Sequence, residues 1–76
     1  MTNAERRELK RRFDSVERRI QKYESVPDEL RKELTEIDPT DFQALLAKQA
    51  EISEAENKLA ALEDEWLELA ERLGIS

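Results

Sequence analysis

The apolar residues of this chain recur at alternating intervals of three and four positions, and this spacing constrains the fold more than any other feature. In the first part of the chain they are Leu9, Phe13, Val16, Ile20 and Tyr23. Such a/d spacing is typical of coiled-coil helices, because it places the side chains on one narrow seam. No segment has a strand pattern, so the sequence predicts an all-α fold. A second seam consists of Phe42, Leu45, Ile52, Ala55, Leu59, Leu62, Trp66, Leu69 and Leu73.

The first proline divides the opening part of the chain into two helical segments. Thr2 or Asn3 is predicted to cap the first helix, and Thr2 stands three residues before Glu5, which is the capping-box spacing. A break follows near Pro27, because the residue before a proline is disfavoured in a helix. Ser25 is predicted to cap the second, shorter helix, with Pro27 in its first turn.

The segment Asp38-Pro39-Thr40-Asp41 is the strongest break in the sequence. Asp38 is interpreted as the N-cap of a long third helix, Pro39 as its first residue, and Asp41 as a favourable acidic group in its first turn. This helix is predicted to end at Gly74, since glycine readily adopts the left-handed conformation of a C-cap.

The two seams match when the chain is folded back at this turn, so that residue i faces roughly residue 78 − i or 79 − i. The large Tyr23 then faces the small Ala55, whereas Leu30 faces the polar pair Lys48 and Gln49, which is predicted to be the weakest layer. The other opposed pairs are Ile37–Phe42, Leu34–Leu45, Val26–Ile52, Ile20–Leu59, Val16–Leu62, Phe13–Trp66 and Leu9–Leu69.

This register predicts an intramolecular antiparallel two-stranded coiled-coil hairpin, a monomer with a single domain over residues 1–76. An intermolecular coiled-coil dimer is the alternative, but a parallel dimer would not require matched seams within one chain. The predicted first arm spans residues 3–37 with a break at 25–27, the turn spans 38–40, and the second arm spans 40–73.

The composition excludes most kinds of catalytic and cofactor-binding site. The 76 residues include no Cys, no His and a single Gly. The chain therefore has no disulfide framework, no thiol or imidazole for catalysis and no glycine-rich phosphate loop. We expect no enzymatic activity, no cofactor and no metal. The chain also shows no apolar run of membrane-spanning length and no signal-peptide pattern, so we expect no membrane contact and a cytoplasmic location.

Charge is divided unequally between the two arms. Residues 1–24 carry eight basic and five acidic side chains, whereas residues 25–76 carry five and fourteen. This division predicts ion pairs between the arms beside the seam. At ~100° per residue, four cations fall within a ~60° stripe opposite the apolar seam and point at solvent. This basic stripe consists of Arg7, Arg11, Arg18 and Lys22, and a secondary set consists of Arg6, Lys10, Arg12 and Arg19.

The basic stripe is a candidate nucleic-acid-binding surface, because Arg and Lys contact phosphates without regard to base sequence. The alternative is a solvated face, supported by i, i+4 pairs between Glu8 and Arg12 and between Asp14 and Arg18. A net charge of −6 argues against strong free-standing binding to nucleic acid.

Two other groups of residues have a simple structural explanation. The run Glu63-Asp64-Glu65 with Glu68 and Glu71 is favoured as a solvated face that pairs with the basic arm, since consecutive carboxylates on a helix diverge and cannot share a metal. Phe13 and Trp66 could stack on a base, but their seam positions favour packing in the core.

Three segments resemble the C-terminal domain of ABC-F proteins, in which two ATP-binding cassettes lie in one chain without membrane spans. The first is Glu5-Arg6-Arg7-Glu8, similar to the basic opening of that domain, and the second is Asp41-Phe42-Gln43-Ala44-Leu45, similar to its turn segment. The third is Trp66-Leu67-Glu68-Leu69, similar to its closing motif. The resemblance covers nearly the whole chain.

The resemblance implies a helical hairpin appended after the second ATPase domain. It implies contact with DNA or with ribosomal RNA on the translating ribosome. Taken with the geometry of the basic stripe, it predicts that the stripe and its secondary set contact phosphates, and that this docking positions or regulates the parent ATPase. ATP would bind the parent protein only, since this chain contains no ATPase motif. The alternative function is a protein–protein interaction or spacer coiled coil without nucleic-acid binding, whose partner could be the parent's own ATPase domains. That alternative depends on exposed apolar residues such as Leu46 and Leu67.

Overall fold

A computed structural model describes residues 1–75, which form three helices and no strand. Helix α1 spans Asn3–Tyr23, α2 spans Val26–Glu36 and α3 spans Phe42–Leu73. Both α1 and α2 pack against α3, and the molecule measures 59 × 18 × 14 Å. The predicted all-α antiparallel hairpin with a broken first arm is therefore confirmed.

The ends of α1 and the start of α2 follow the predicted break but not every predicted cap. Thr2 caps α1, and its hydroxyl accepts a 3.1 Å hydrogen bond from the backbone N–H of Glu5. Ser25 precedes α2 but makes no side-chain cap, so that prediction is wrong. Its backbone is itself helical (φ −85°, ψ −12°), whereas a capping residue is normally extended. The break between α1 and α2 therefore lies at Glu24 and Ser25, whose backbone departs little from helical geometry, and Pro27 is buried in the first turn of α2.

The turn between α2 and α3 corrects the predicted start of the third helix. Asp38 does not cap it: one of its carboxylate oxygens accepts hydrogen bonds from the Thr40 backbone N–H at 2.9 Å and from the Thr40 hydroxyl at 2.8 Å. This local bond to the residue two ahead forms a turn instead of a helix. Asp41 is the N-cap, accepting from the Ala44 N–H at 3.1 Å, and α3 begins at Phe42 instead of Pro39.

The main core lies where α1 packs against the C-terminal half of α3. Phe13 and Trp66 were predicted to face each other, and their ring centroids are 5.3 Å apart at a 35° tilt. Ala70, which lies outside the predicted seam, is buried in this cluster as well. The buried members are Phe13, Val16, Leu69, Ala70 and Leu73, with Leu9, Ile20 and Trp66 packed around them. Gly74 ends α3 in the predicted left-handed conformation (φ 72°).

Apolar packing is thinner toward the turn. Ile52 and Ala55 of α3 are buried, but Phe42 is 71% exposed, so it does not take the seam position predicted for it opposite Ile37. At ~100° per residue, Phe42 lies ~80° around α3 from Ile52, on the side away from Ala55. Phe42 is the first residue of α3, so no earlier turn of that helix packs against α2 to hold it there. Its side chain points to solvent.

Ion pairs join the arms at the predicted polar layer. The Lys48 ammonium lies 3.1 Å from a carboxylate oxygen of Glu33 on α2 and 3.1 Å from one of Glu51 on α3. Both hydrogen bonds raise the pKa of Lys48, and the bond to Glu51 has the larger effect. Arg31 of α2 similarly bonds Asp28 at 2.9 Å and reaches across to Glu56 of α3.

Candidate nucleic-acid interface

The four residues of the basic stripe are all exposed on α1, whose opposite side buries Phe13 and Val16. A continuous helix of 21 residues produces this separation, because seam and stripe positions recur on opposite sides of the same cylinder. The secondary set is exposed too, so every predicted contact residue is accessible. A phosphate-binding surface requires such accessibility.

The predicted ion pairs along α1 form with different partners. Asp14 pairs with Lys10 at 2.8 Å and not with Arg18, and Glu8 pairs with Arg11 at 3.1 Å and not with Arg12. Lys10 also lies over the Phe13 ring, 5.4 Å from its centroid, which places its ammonium beside Asp14. The two predicted pairs, Glu8–Arg12 and Asp14–Arg18, are therefore wrong, although Glu8 and Asp14 do pair with cations of the same helix.

Six of the eight predicted contact residues make no ion pair within residues 1–75. Their positive charges are neutralised by no carboxylate at contact distance and can attract phosphates from solution. These six are Arg6, Arg7, Arg12, Arg18, Arg19 and Lys22.

A basic groove extends the stripe across the seam onto α3. It has a volume of about 370 Å³ and is lined by Arg19, Lys22 and Tyr23 of α1 and by Lys58 and Leu62 of α3. The Lys58 ammonium stands 4.7 Å from the centroid of the Tyr23 ring, a cation–π contact that holds it at the seam. Three cations thus converge where no carboxylate lines the surface.

Lys58 is the functional candidate that sequence reasoning missed. It is the single cation between Lys48 and Arg72 in an otherwise acidic helix. The predicted register already placed Ala55 opposite Tyr23, and Lys58 lies one turn further along α3. That combination of an isolated cation and a nearby aromatic partner was the available signal.

The acidic run of α3 does not pair with α1, contrary to expectation; the cation that reaches an acidic residue of α3 from the first arm is Arg31 of α2. Within residues 1–75 no ion pair joins α1 to α3, and Glu68 of the acidic run pairs with Arg72 on its own helix at 3.2 Å. The α1 cations point outward or to one flank, beyond reach of these carboxylates. No group of carboxylates in the described chain is arranged to hold a metal ion.

A second groove lies on the opposite side of the seam and has the opposite charge. Glu17, Glu24 and Glu63 line it, and its volume is about 430 Å³. On α1, Glu17 and Arg19 are two residues apart and therefore point ~160° away from each other. The hairpin consequently presents a basic groove on one flank and this acidic groove on the other, at the same level along its axis.

These features define a small, elongated helical hairpin with a basic outer face, and no helix of residues 1–75 is long and apolar enough to cross a bilayer. The model of the ABC transporter C-terminal domain family matches residues 3–71, so the chain belongs to that family. The expected C-terminal domain of an ABC-type ATPase is thereby confirmed. No curated protein and no solved structure matched the chain.

Proposed function

We propose that this chain is a non-catalytic accessory domain of an ABC-F type ATPase and that it contacts DNA or ribosomal RNA. The observation that carries the proposal is the exposed basic stripe of α1, which the basic groove continues onto α3 through Lys58. Docking of this surface positions or regulates the parent ATPase, which binds ATP in its own cassettes in the cytoplasm. The membership of the ABC transporter C-terminal domain family supports the accessory role.

Electrostatics determines how such an interface behaves. Cations on one helix face contact phosphates, which fixes orientation but reads no base sequence. The net charge of −6 opposes approach from every other direction, so binding is expected to be weak and confined to the stripe and groove. Affinity falls with salt in proportion to the number of phosphates neutralised.

The experiment is a titration of the purified domain with labelled duplex DNA and with labelled ribosomal RNA at two salt concentrations. We expect binding at low salt that weakens as salt rises. The double variant Arg11→Glu/Arg18→Glu should lose most of this binding and flatten the salt dependence, because each phosphate contact contributes about 0.9 to the logarithmic slope on duplex DNA. Lys58→Glu should weaken binding to a smaller extent.

The matched control is Arg72→Glu, which makes the same type of charge reversal on α3, away from the stripe. Arg72 is exposed and its ion pair to Glu68 lies within one helix, so the reversal in the last turn of α3 should cost about 1 kcal/mol or less, and circular dichroism checks that the fold is retained. Nucleic-acid binding would be refuted by an absence of binding at low salt. It would also be refuted if Arg72→Glu weakened binding as much as Arg11→Glu/Arg18→Glu.

A protein-interaction function is the second candidate, and two exposed apolar residues favour it. Leu46 is 65% exposed and Leu67 is 54% exposed, as the sequence predicted for partner contacts. An interaction of this kind would persist at high salt, where the phosphate contacts of the first candidate are screened. Retained binding to the parent ATPase domains at high salt, lost in Leu67→Ser, would identify it.

A further inference from the structure

The acidic groove combines an apolar floor with an acidic rim. Ile20 of α1 and Trp66 of α3 are half-buried in its floor, and Leu67 stands beside them with 54% of its surface exposed. Leu67 is one of the few large apolar side chains that the hairpin leaves open to solvent. An exposed leucine next to a half-buried tryptophan is the kind of surface that a partner's apolar side chains cover.

The rim of this groove has one sign of charge. Glu17 and Glu24 stand on the α1 side and Glu63 on the α3 side, and no cation lines the groove. Within residues 1–75 none of these three carboxylates forms an ion pair. Other carboxylates of the hairpin, such as Glu33 and Glu56, are held by Lys48 and Arg31. The groove therefore lacks internal counter-charges for its rim.

We propose that the acidic groove is the docking site for a cationic amphipathic helix of a partner protein. The partner's apolar face would cover Trp66 and Leu67, and its Lys or Arg side chains would pair with Glu17, Glu24 and Glu63. The rim residues of α1 span two helical turns, ~10 Å, which matches two turns of a third helix laid along the hairpin. The charge of the rim and the apolar floor together specify this chemistry.

Other occupants fit the groove less well. Nucleic acid is repelled by three carboxylates that no cation offsets. A second copy of the chain would offer the exposed cations of its basic stripe, and the stripe residues have no apolar side chain among them to cover Leu67. The partner must carry cations and apolar groups on one face, which the outer face of α1 does not.

The single tryptophan of the chain makes the groove directly observable. Trp66 is the only Trp, so its fluorescence and its indole N–H resonance report on the floor of this groove and on the core cluster that it packs against. The probe is a synthetic helical peptide of about 15 residues with Leu on one face and Lys on the other. We expect a saturable change in Trp66 fluorescence. A peptide with Glu in place of Lys, and one with Ser in place of Leu, should bind much more weakly.

Two variants and two matched controls separate the rim from the floor. Glu17→Gln/Glu63→Gln should weaken peptide binding about fivefold or more, whereas Glu54→Gln/Glu36→Gln, which removes the same charge elsewhere on the surface, should leave it unchanged. Leu67→Ser should weaken binding, whereas Leu46→Ser, at a similarly exposed leucine near the turn, should not. Circular dichroism checks that each variant retains its helix content.

Three results would overturn the proposal. One is equal binding of the Glu-substituted peptide, which would remove the role of charge. Another is that Glu54→Gln/Glu36→Gln weakens peptide binding as much as Glu17→Gln/Glu63→Gln, which would show that only the net charge of the chain matters. The third is concentration-dependent self-association of the chain, seen in sedimentation, that the peptide competes away, since this would assign the groove to a second copy.

Discussion

The two ends of the hairpin are held together by different forces. At the base end, where α1 meets the C-terminal half of α3, a cluster of buried apolar residues joins the helices and no ion pair crosses between them. At the turn end, where α2 meets the N-terminal half of α3, Lys48 and Arg31 carry ion pairs across the interface. Phe42 and Leu46 stay exposed there.

This difference shows where stability and specificity come from in so small a chain. Burial of apolar surface contributes most of the free energy of folding, whereas exposed ion pairs contribute little. The base end should therefore supply most of the stability, and the turn end should mainly fix the register of the arms. The basic stripe lies on α1, so the candidate nucleic-acid surface rests on the better-packed end.

The largest expected effect is the loss of a core residue at the base end. Leu69 is 2% exposed, so Leu69→Ala should cost about 2–5 kcal/mol through lost burial and the cavity left behind. A domain of this size has only about 3–5 kcal/mol available. Urea unfolding followed by circular dichroism should therefore show a largely unfolded variant.

The matched substitution at the turn end is Leu46→Ala, which truncates a leucine that is 65% exposed. It should change the free energy of unfolding by less than about 0.5 kcal/mol. If the two variants were destabilised equally, the proposed division between a stabilising base end and a weak turn end would be wrong.

The next largest loss of stability is expected at the N-caps, which differ between the two long helices. Asp41 caps α3 in mid-chain and accepts from the Ala44 N–H, so Asp41→Ala should cost about 1 kcal/mol. Thr2 makes the equivalent bond to the backbone N–H of Glu5 at the first turn of α1, within residues 1–8, which are all exposed. Thr2→Ala should cost clearly less in the same unfolding measurement, and a larger loss there would contradict this order.

The base end could be predicted well from sequence because its residues repeat strictly. The spacing from Leu9 to Ile20 and the matching seam of α3 fixed the register, which places Phe13 against Trp66 as observed. Pro27 and Gly74 marked a bend and a helix end because each has a backbone restriction or freedom that no neighbour shares. Apolar periodicity and the backbone preferences of Pro and Gly are properties of local sequence, so the helices and their ends can be predicted from them without a structure.

What sequence could not settle were choices between nearly equivalent partners. Asp38 and Asp41 are both good N-caps, and only the turn geometry around Thr40 decides between them. Asp14 has cations at equal distances before and after it, and selects Lys10. The same holds for the candidate interface: the stripe followed from helix periodicity, but the contribution of Lys58 required two helices to come together.

A smaller effect concerns the polar layer of the turn end. Lys48 occupies a seam position and its side chain is only 20% exposed, so Lys48→Leu should replace two ion pairs by apolar contact with the opposing arm. We expect a modest rise in the urea midpoint, since replacing partly buried ion pairs with apolar residues is often neutral or stabilising. A clear fall in the midpoint would show that the ion pairs themselves hold this end.

Alkaline pH provides an independent check on the same residue. The pKa of Lys48 is raised by its bonds to Glu51 and Glu33, so its contribution to stability is complete below the unfolded value of about 10.4. This contribution is lost as the pH rises through the folded value. Wild-type protein should therefore lose stability in this range more steeply than Lys48→Leu, which has nothing to titrate at that position. If stability fell with pH at the same slope in both proteins, a contribution from the Lys48 ion pairs would be excluded.

The smallest effect is expected from Asp38 in acid. The Thr40 backbone N–H, and then the Thr40 hydroxyl, lower the pKa of Asp38, so its contribution exists above the unfolded pKa of about 3.9 and disappears as the pH falls through the folded value. The Thr40 amide resonance should titrate with a midpoint below that of an ordinary aspartate, and Asp38→Asn should abolish this transition. Because the bonds of Asp38 lie entirely within the turn, resonances of Phe13 and Val16 should not follow it. If they did, the turn and the base end would be coupled and the two ends could not be treated as separately stabilised.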